Sequence, residues 1–215
     1  MIVEDIMTRG VVSVNSDASV SDAKALMKEH RVRRLPVIDE GKLVGLVAED
    51  RLERASKPAA AHLVWQAIWL LSRTKIKDIM VTDVVTIGPE NTVEQAVALA
   101  QTRNVGALLV VKDGKPIGIV TTNDIFYKVV NPTLGIGETG TRLTVPKCGD
   151  GPCIEAIIAA INRAEVGIKV IWMTTSPANS DREFTVHLDT KDADQADKAI
   201  KGLRELGHSP SVRQR

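Results

Sequence analysis

The sequence predicts an α+β chain in which one strand-helix-strand-strand-helix unit occurs twice and a different, smaller α+β unit follows. Three observations predict it. Residues 3 to 56 reappear at 76 to 129 without a gap: Asp5-Ile6-Met7 returns as Asp78-Ile79-Met80, Gly41-Lys42 as Gly114-Lys115 and Gly45 as Gly118, 73 positions on in each case. Inside each copy, short β-rich runs alternate with apolar residues at helical spacing. Beyond residue 140 the repeat ends and the alternation resumes in a new order. A duplication this regular means two supersecondary units that need each other to bury their apolar faces, so function is sought between them.

In the first copy, Val11 to Val14 reads as a short strand, and Val20, Ala23, Leu26 and Met27 recur at the spacing of one helix face. Arg34-Leu35-Pro36-Val37-Ile38 and Leu43-Val44-Gly45-Leu46-Val47 flank a turn at Glu40-Gly41-Lys42, which is a hairpin. A second helix starts near Glu49. The second copy repeats the order.

Between the copies, Lys57 to Thr74 predicts an inserted helix. Its Trp65 and Trp69, four apart, share one face that packs on its own module or forms a homodimer contact. Residues 131 to 140 read as a linker. They contain a G-x-G-x-x-G pattern, but a Pro-containing segment precedes it and a strand pattern follows, whereas a dinucleotide fingerprint follows a strand and opens a helix. The last unit reads as a strand over 141–146, a helix from Pro152 to Ala164, a hairpin of Ile168–Thr174 with Glu183–Asp189, a helix from Ala193 to Leu206 and a strand near Ser211-Val212. That order, βαββαβ, is ferredoxin-like. The expected division is 1–56, 57–74, 75–130, 131–140 and 141–215.

Composition narrows the function classes. With 28 basic against 27 acidic residues the net charge is +1, which gives no global drive toward nucleic acid or anionic lipid. Aromatics at 3% leave no stacking platform for single strands. The N-terminus carries acids and no apolar signal core, and the apolar run 63–71 is far short of the roughly 20 residues of a spanning helix. A cytoplasmic protein is expected, without nucleic-acid or membrane partners. Two cysteines are too few for a disulfide scaffold and agree with a reducing compartment.

The doubled order, the Asp-Ile-Met opening, Leu35-Pro36-Val37-Ile38 and the closing Gly118-Ile119-Val120-Thr121-Thr122-Asn123-Asp124-Ile125 resemble a pair of CBS domains, a Bateman module. Placed after such a pair, the last unit resembles an ACT domain, and the whole chain is similar to bacterial CBS-plus-ACT proteins related to acetoin-utilisation accessory proteins. The resemblance implies a non-catalytic sensor: an adenine nucleotide (AMP, ADP, ATP class) or another adenosyl ligand binds between the copies, and its effect reaches the ACT-like unit. The alternative is a ligand-independent module that dimerises and docks on an enzyme or regulator. Either form is expected to be a homodimer with an unknown protein partner.

Asp124 and Thr121 are the sharpest candidates. A carboxylate at the start of a helix can accept both ribose hydroxyls, and a nearby hydroxyl suits a phosphate. Helix capping explains either residue equally well. The resemblance implies the ligand role for the Gly118–Asp124 stretch, with Ile119 lining the base pocket and Asn123 facing sugar or phosphate. It adds Thr8, Val12, Val32 and Arg33 from the first copy. Arg33 and Arg34 offer guanidinium forks for phosphate, or form a solvated basic face.

The first copy departs from this pattern, with Ala48 and Arg51 where the second has Thr121 and Asp124. Asp50 stands one residue early, and neighbouring helical residues point about 100° apart. One competent site per chain is therefore expected. Arg51 could add charge for ligands with several phosphates.

In the last unit, Cys153 follows Gly149-Asp150-Gly151-Pro152, where the resemblance implies a Gly that lets an amino acid approach the backbone; this counts against amino-acid binding. Cys148 and Cys153 form no C-x-x-C motif, and a disulfide between them is not expected. His30, His62, His187 and His208 are scattered, and no G-x-S-x-G, Walker or H-E-x-x-H pattern occurs, so neither metal nor catalysis is expected.

Overall fold

The computed structural model describes residues 1–56, 73–190 and 193–214. The expected inserted helix and its two indoles fall on 57–72, outside the described residues. The chain forms two compact units, Met1–Ile125 and Phe126–Arg215.

The first unit holds the duplication except its last residues, 126–129, which belong to the second. The copies comprise α2 (Val20–His30), the hairpin β2 (Arg34–Asp39) and β3 (Lys42–Ala48) and α3 (Glu49–Ser56), then α4 (Val93–Thr102) and the hairpin β5 (Ala107–Lys112) and β6 (Lys115–Thr121). A four-residue helix α5 (Thr122–Ile125) ends it. Short lead-in segments precede each copy, α1 (Val3–Ile6) with β1 (Thr8–Arg9), and a 3-10 turn at Ile76–Asp78 followed later by β4 (Thr86–Ile87). Both long helices start from the same device: Ser19 Oγ accepts from the Asp22 amide at 3.1 Å, and Thr92 Oγ1 accepts from the Gln95 amide at 3.2 Å. Asp22 and Gln95 accept in return from the Ser19 and Thr92 amides, closing a capping box in each copy.

The copies exchange their lead-in segments. β1 pairs antiparallel with β6 of the second copy, Thr8 opposite Ile119, while Val81 bridges to Leu46 of the first. The Ile76 amide donates to Ala18 O and the Val3 amide to Asn91 O, so each copy's start is hydrogen-bonded to the other. Ile76 is fully buried in the first copy's apolar cluster with Leu35, Val37, Val47 and Leu52. Burying such a side chain contributes about 1.5–3 kcal/mol. The duplication is thus one interlocked core, as the repeat argument requires, although the sequence boundaries at 3 and 76 do not separate the folding units.

Close packing accounts for Gly45 and Gly118. A Cβ on Gly118 would lie 2.6 Å from Met7 Sδ and 3.1 Å from Thr8 O, and one on Gly45 would lie 2.5 Å from Met80 Sδ and 3.0 Å from Val81 O. The expected strand at Val11–Val14 is reduced to a single parallel bridge, Val14 to Val37. Its counterpart β4 is only two residues long, paired parallel with β5.

The second unit begins with a π-helical turn (Phe126–Val130) and α6 (Asn131–Leu134). The expected loose linker is therefore partly helical: Pro132 lies in the first turn and Gly135, at φ 57°, ends it in the left-handed conformation. Then follow β7 (Thr141–Pro146), α7 (Gly151–Arg163), β8 (Gly167–Thr175), β9 (Arg182–Asp189), α8 (Ala193–Glu205) and β10 (Ser211–Gln214). The strands form an antiparallel sheet in the order β10-β7-β9-β8. Leu143, Val145, Val186 and Leu188 face α7 and α8 through Ile157, Ile161 and Leu203. His187 is fully buried in β9. Gly135 and Gly140 lie against its ring, where added Cβ atoms would approach to 2.8 and 3.2 Å, so these glycines of the G-x-G-x-x-G pattern serve packing.

One expectation is corrected here. Cys148 and Cys153 form a disulfide, with Cα atoms 5.7 Å apart across a sequence separation of 5. The β7–α7 turn makes this possible, because Asp150 caps α7 by accepting from the Cys153 amide at 2.9 Å and folds Cys153 back toward Cys148.

Candidate functional site

The turn from β6 into α5 places Thr121 and Asp124 three residues apart, so they close on each other. Thr121 Oγ1 donates to Asp124 Oδ2 at 2.7 Å, the Thr121 amide donates to the same oxygen at 2.9 Å, and the Asp124 amide donates to Thr121 Oγ1 at 3.3 Å. The exchanged lead-in completes the cluster: Thr8 Oγ1 donates to Asp124 Oδ1 at 3.1 Å. Asp124 is 9% exposed, and a carboxylate so buried requires these donors. The capping geometry weighed from sequence is present, and the Thr8 bond, which capping does not need, makes the site composite.

Beside this cluster a cleft of about 310 Å³ runs between the copies. The first copy lines it with Arg33, Arg34, Glu49 and Asp50, and the second with Thr121, Thr122 and Asn123. The two walls are equivalent by the repeat: the Glu49 amide donates to Arg33 O at 2.9 Å and the Thr122 amide to Gly106 O at 3.3 Å. Their chemistry differs. Arg33 Nε donates to Glu49 Oε2 at 2.8 Å and Arg54 pairs with Asp50, whereas the second wall is uncharged. Arg34 reaches over the second wall, its Nη2 3.0 Å from where a Cβ on Gly106 would stand.

The other residues singled out from sequence lie as follows. Ile119 is in register opposite Thr8. Asn123 is exposed on the cleft wall. Val12 and Val32 pack against the first copy's apolar cluster, and Val32 also lines a second hollow that shares Arg33 and Glu49 with the cleft. Thus Thr8, Ile119, Thr121 and Asp124 come together, Arg33, Arg34 and Asn123 share the adjoining cleft, and Val32 stands beside Arg33 in the hollow next to it.

The first copy's equivalent corner carries different chemistry. Arg51, in the place of Asp124, donates to Ile79 O at 3.3 Å and is not among the residues lining this cleft. Asp50, which the helical-angle argument placed elsewhere, lines the cleft because it is the repeat equivalent of Asn123. Sequence reasoning also passed over Gly106 and Glu49; comparing the two copies position by position would have exposed the Arg33/Gly106 and Glu49/Thr122 contrasts. No group of three or more potential metal ligands occurs among the described residues, and no described helix is long and apolar enough to cross a membrane.

Comparison with known proteins decides the family. The family model described as CBS domain matches residues 3–57 and again 76–131. The chain belongs to the CBS-domain family. Its CBS pair is 34% identical over 143 residues to inosine-5'-monophosphate dehydrogenase of Korarchaeum cryptofilum, a match that takes in 66% of this chain and 27% of the dehydrogenase. The chain thus spans about a quarter of that relative's length.

Three solved structures resemble the CBS pair. The acetoin-utilization candidate AcuB of Vibrio cholerae has a TM-score of 0.51 and 28% identity over 61% of this chain and 91% of that one. The CBS pair of protein MJ0100, in complex with 5'-methylthioadenosine and S-adenosyl-L-methionine, has a TM-score of 0.51 and 26% identity over 61% and 97%. CBSX2 in complex with AMP has a TM-score of 0.50 and 28% identity over 60% and 96%.

Proposed function

We propose that this protein is a non-catalytic sensor whose CBS pair binds an adenine nucleotide or related adenosyl ligand, with the ribose at Asp124 and the phosphate in the cleft beside Thr121 and Asn123. The observation that carries this reading is the buried Asp124 carboxylate, held by Thr121 from its own copy and Thr8 from the other. A ligand seated there touches both copies and so biases their packing by the difference in its affinity for two arrangements. The complexes of MJ0100 and CBSX2 with adenosyl compounds support the ligand class. Arg51 in the equivalent first-copy corner supports one site per chain.

We read the second unit as a ferredoxin-like, ACT-type regulatory domain that receives the signal; its βαββαβ order and the strand order β10-β7-β9-β8 support this. Cys153, bonded to Cys148 at the start of α7, favours a role in pairing over amino-acid capture. The proposal keeps the division into 1–56, 57–74, 75–130, 131–140 and 141–215, a cytoplasmic homodimer and an unnamed protein partner. The alternative, a ligand-independent assembly module, draws on Arg51 standing where the first copy would need the acid. A thermal-shift panel of AMP, ADP, ATP, S-adenosylmethionine, NAD and amino acids separates the two, because a ligand that binds only the folded state raises its stability by mass action. A shift with an adenosyl compound supports the sensor; none with any of them supports the assembly module.

A further inference from the structure

The cleft beside Asp124 leaves one of its charges without a partner among the described residues. Two guanidinium groups and two carboxylates line it, so its formal charge is balanced, but the partners are already assigned: Arg33 to Glu49, and Asp50 to Arg54 on the next turn of α3. Arg34 has no hydrogen bond or ion pair among the described residues. It projects over Gly106, where an added Cβ would stand 3.0 Å from its Nη2 and 3.6 Å from Thr122 Oγ1, and thereby reaches the second copy's wall. One cation is thus poised for an anion, and two carboxylates border the space beyond it.

We propose that this arrangement makes the cleft selective for an adenosyl ligand carrying a single phosphate: Arg34 binds that phosphate, and Glu49 and Asp50, by holding Arg33 and Arg54, leave no second cation for a di- or triphosphate. The inference rests on the reading that the ribose sits at Asp124. A terminal phosphate carries about −1.5 to −2 charge at pH 7. A second or third phosphate would bring further charge to a cleft whose other guanidinium, Arg33, is already held by Glu49. The second wall, with Thr121, Thr122 and Asn123, offers hydrogen bonds but no compensating cation.

The test is titration calorimetry of the full-length protein at low salt without Mg²⁺, using adenosine, AMP and ATP against the wild type, Arg34→Ala, the double variant Glu49→Gln/Asp50→Asn and Asp124→Ala. The expected result is AMP tighter than ATP by about tenfold or more, because the additional phosphates find no free cation. The double variant narrows that ratio to about threefold or less while AMP still binds, since it removes both carboxylates and releases Arg33 and Arg54. Arg34→Ala removes the advantage of AMP over adenosine. Equal affinity of the wild type for AMP and ATP, an unchanged ratio in the double variant, or adenosine as tight as AMP overturns the selectivity while leaving the adenosyl site standing. If adenosine, AMP and ATP all fail to bind the wild type, or bind Asp124→Ala equally well, the site itself is wrong and the selectivity falls with it.

Discussion

Thr8 donates to the Asp124 carboxylate across the interface of the two repeats, 3.1 Å from Oγ1 to Oδ1. The bond joins an exchanged lead-in segment to the buried acid of the other copy, so the site exists only when the copies are interlocked. Removing a hydrogen bond to a charged group costs about 1.5–3 kcal/mol. Thr8→Val should lower folding stability by an amount toward the bottom of that range, because Thr8 is exposed and water can replace it in part. It should also weaken nucleotide binding; chemical denaturation and calorimetry on the same variant check both.

Ile76 tests the exchange itself. It begins the second repeat yet is fully buried in the first copy's cluster. Ile76→Ala should destabilise the first unit by about 2–5 kcal/mol, as truncation of a buried aliphatic side chain does. Hydrogen exchange should show amides of α2 and β2, in the first copy, losing protection.

Gly118 and Gly45 should tolerate no side chain cheaply. Gly118→Ala places a methyl group against Met7 and the Thr8 carbonyl oxygen. Met7 can rotate away, but the backbone oxygen cannot, so overpacking of about 1–3 kcal/mol is expected. Because β1 carries Thr8, nucleotide affinity should fall with it. Gly45→Ala should cost similar stability and leave affinity nearly unchanged, since the first-copy corner holds no Asp124 equivalent.

The Asp17–Lys77 pair bridges the same interface at 2.8 Å on the exposed surface. Its hydrogen bond and charge hold Asp17 below the ordinary carboxylate range and raise Lys77 above the ordinary ammonium range. Asp17 therefore stabilises the fold above its unfolded pKa and loses that contribution as pH falls through its depressed folded value. Lys77 contributes below its unfolded pKa and loses its contribution as pH rises through its raised folded value. Lys77→Ala should shift the Asp17 titration upward by carboxyl-detected NMR and flatten the acid limb of the stability profile slightly, as befits an exposed pair.

Reduction of the Cys148–Cys153 disulfide should lower the stability of the second unit by about 2 kcal/mol, the chain-entropy value for so short a loop. Cys148→Ser/Cys153→Ser should melt at the temperature of the reduced wild type and be insensitive to dithiothreitol.

Much of this architecture was legible because the duplication doubles every signal. The Ser19/Asp22 and Thr92/Gln95 caps, the hairpins around Gly41 and Gly114 and the Thr121/Asp124 pair each stand in a recognisable sequence context. The exchange of Val3 and Ile76 was not legible, since a constant offset says that two segments are equivalent but not which copy each one packs on. Arg51 shows the same limit: residue type suggests a phosphate ligand, but the Ile79 carbonyl to which it donates belongs to the other copy's lead-in and is not visible from the repeat. Pro132 and Gly135 did carry helix start and stop signals, which the surrounding glycines masked. The disulfide depended on the Asp150 cap turning Cys153 back on Cys148, a loop geometry that cysteine spacing does not encode.

The most direct test of the central claim is the affinity of AMP for the wild type and for Asp124→Asn, measured by calorimetry with fold checked by circular dichroism. The account predicts one AMP per chain for the wild type and binding weakened about tenfold or more in the variant, the equivalent of one charge-assisted hydrogen bond lost. Equal affinities for two folded proteins would contradict it and place the ligand elsewhere than Asp124.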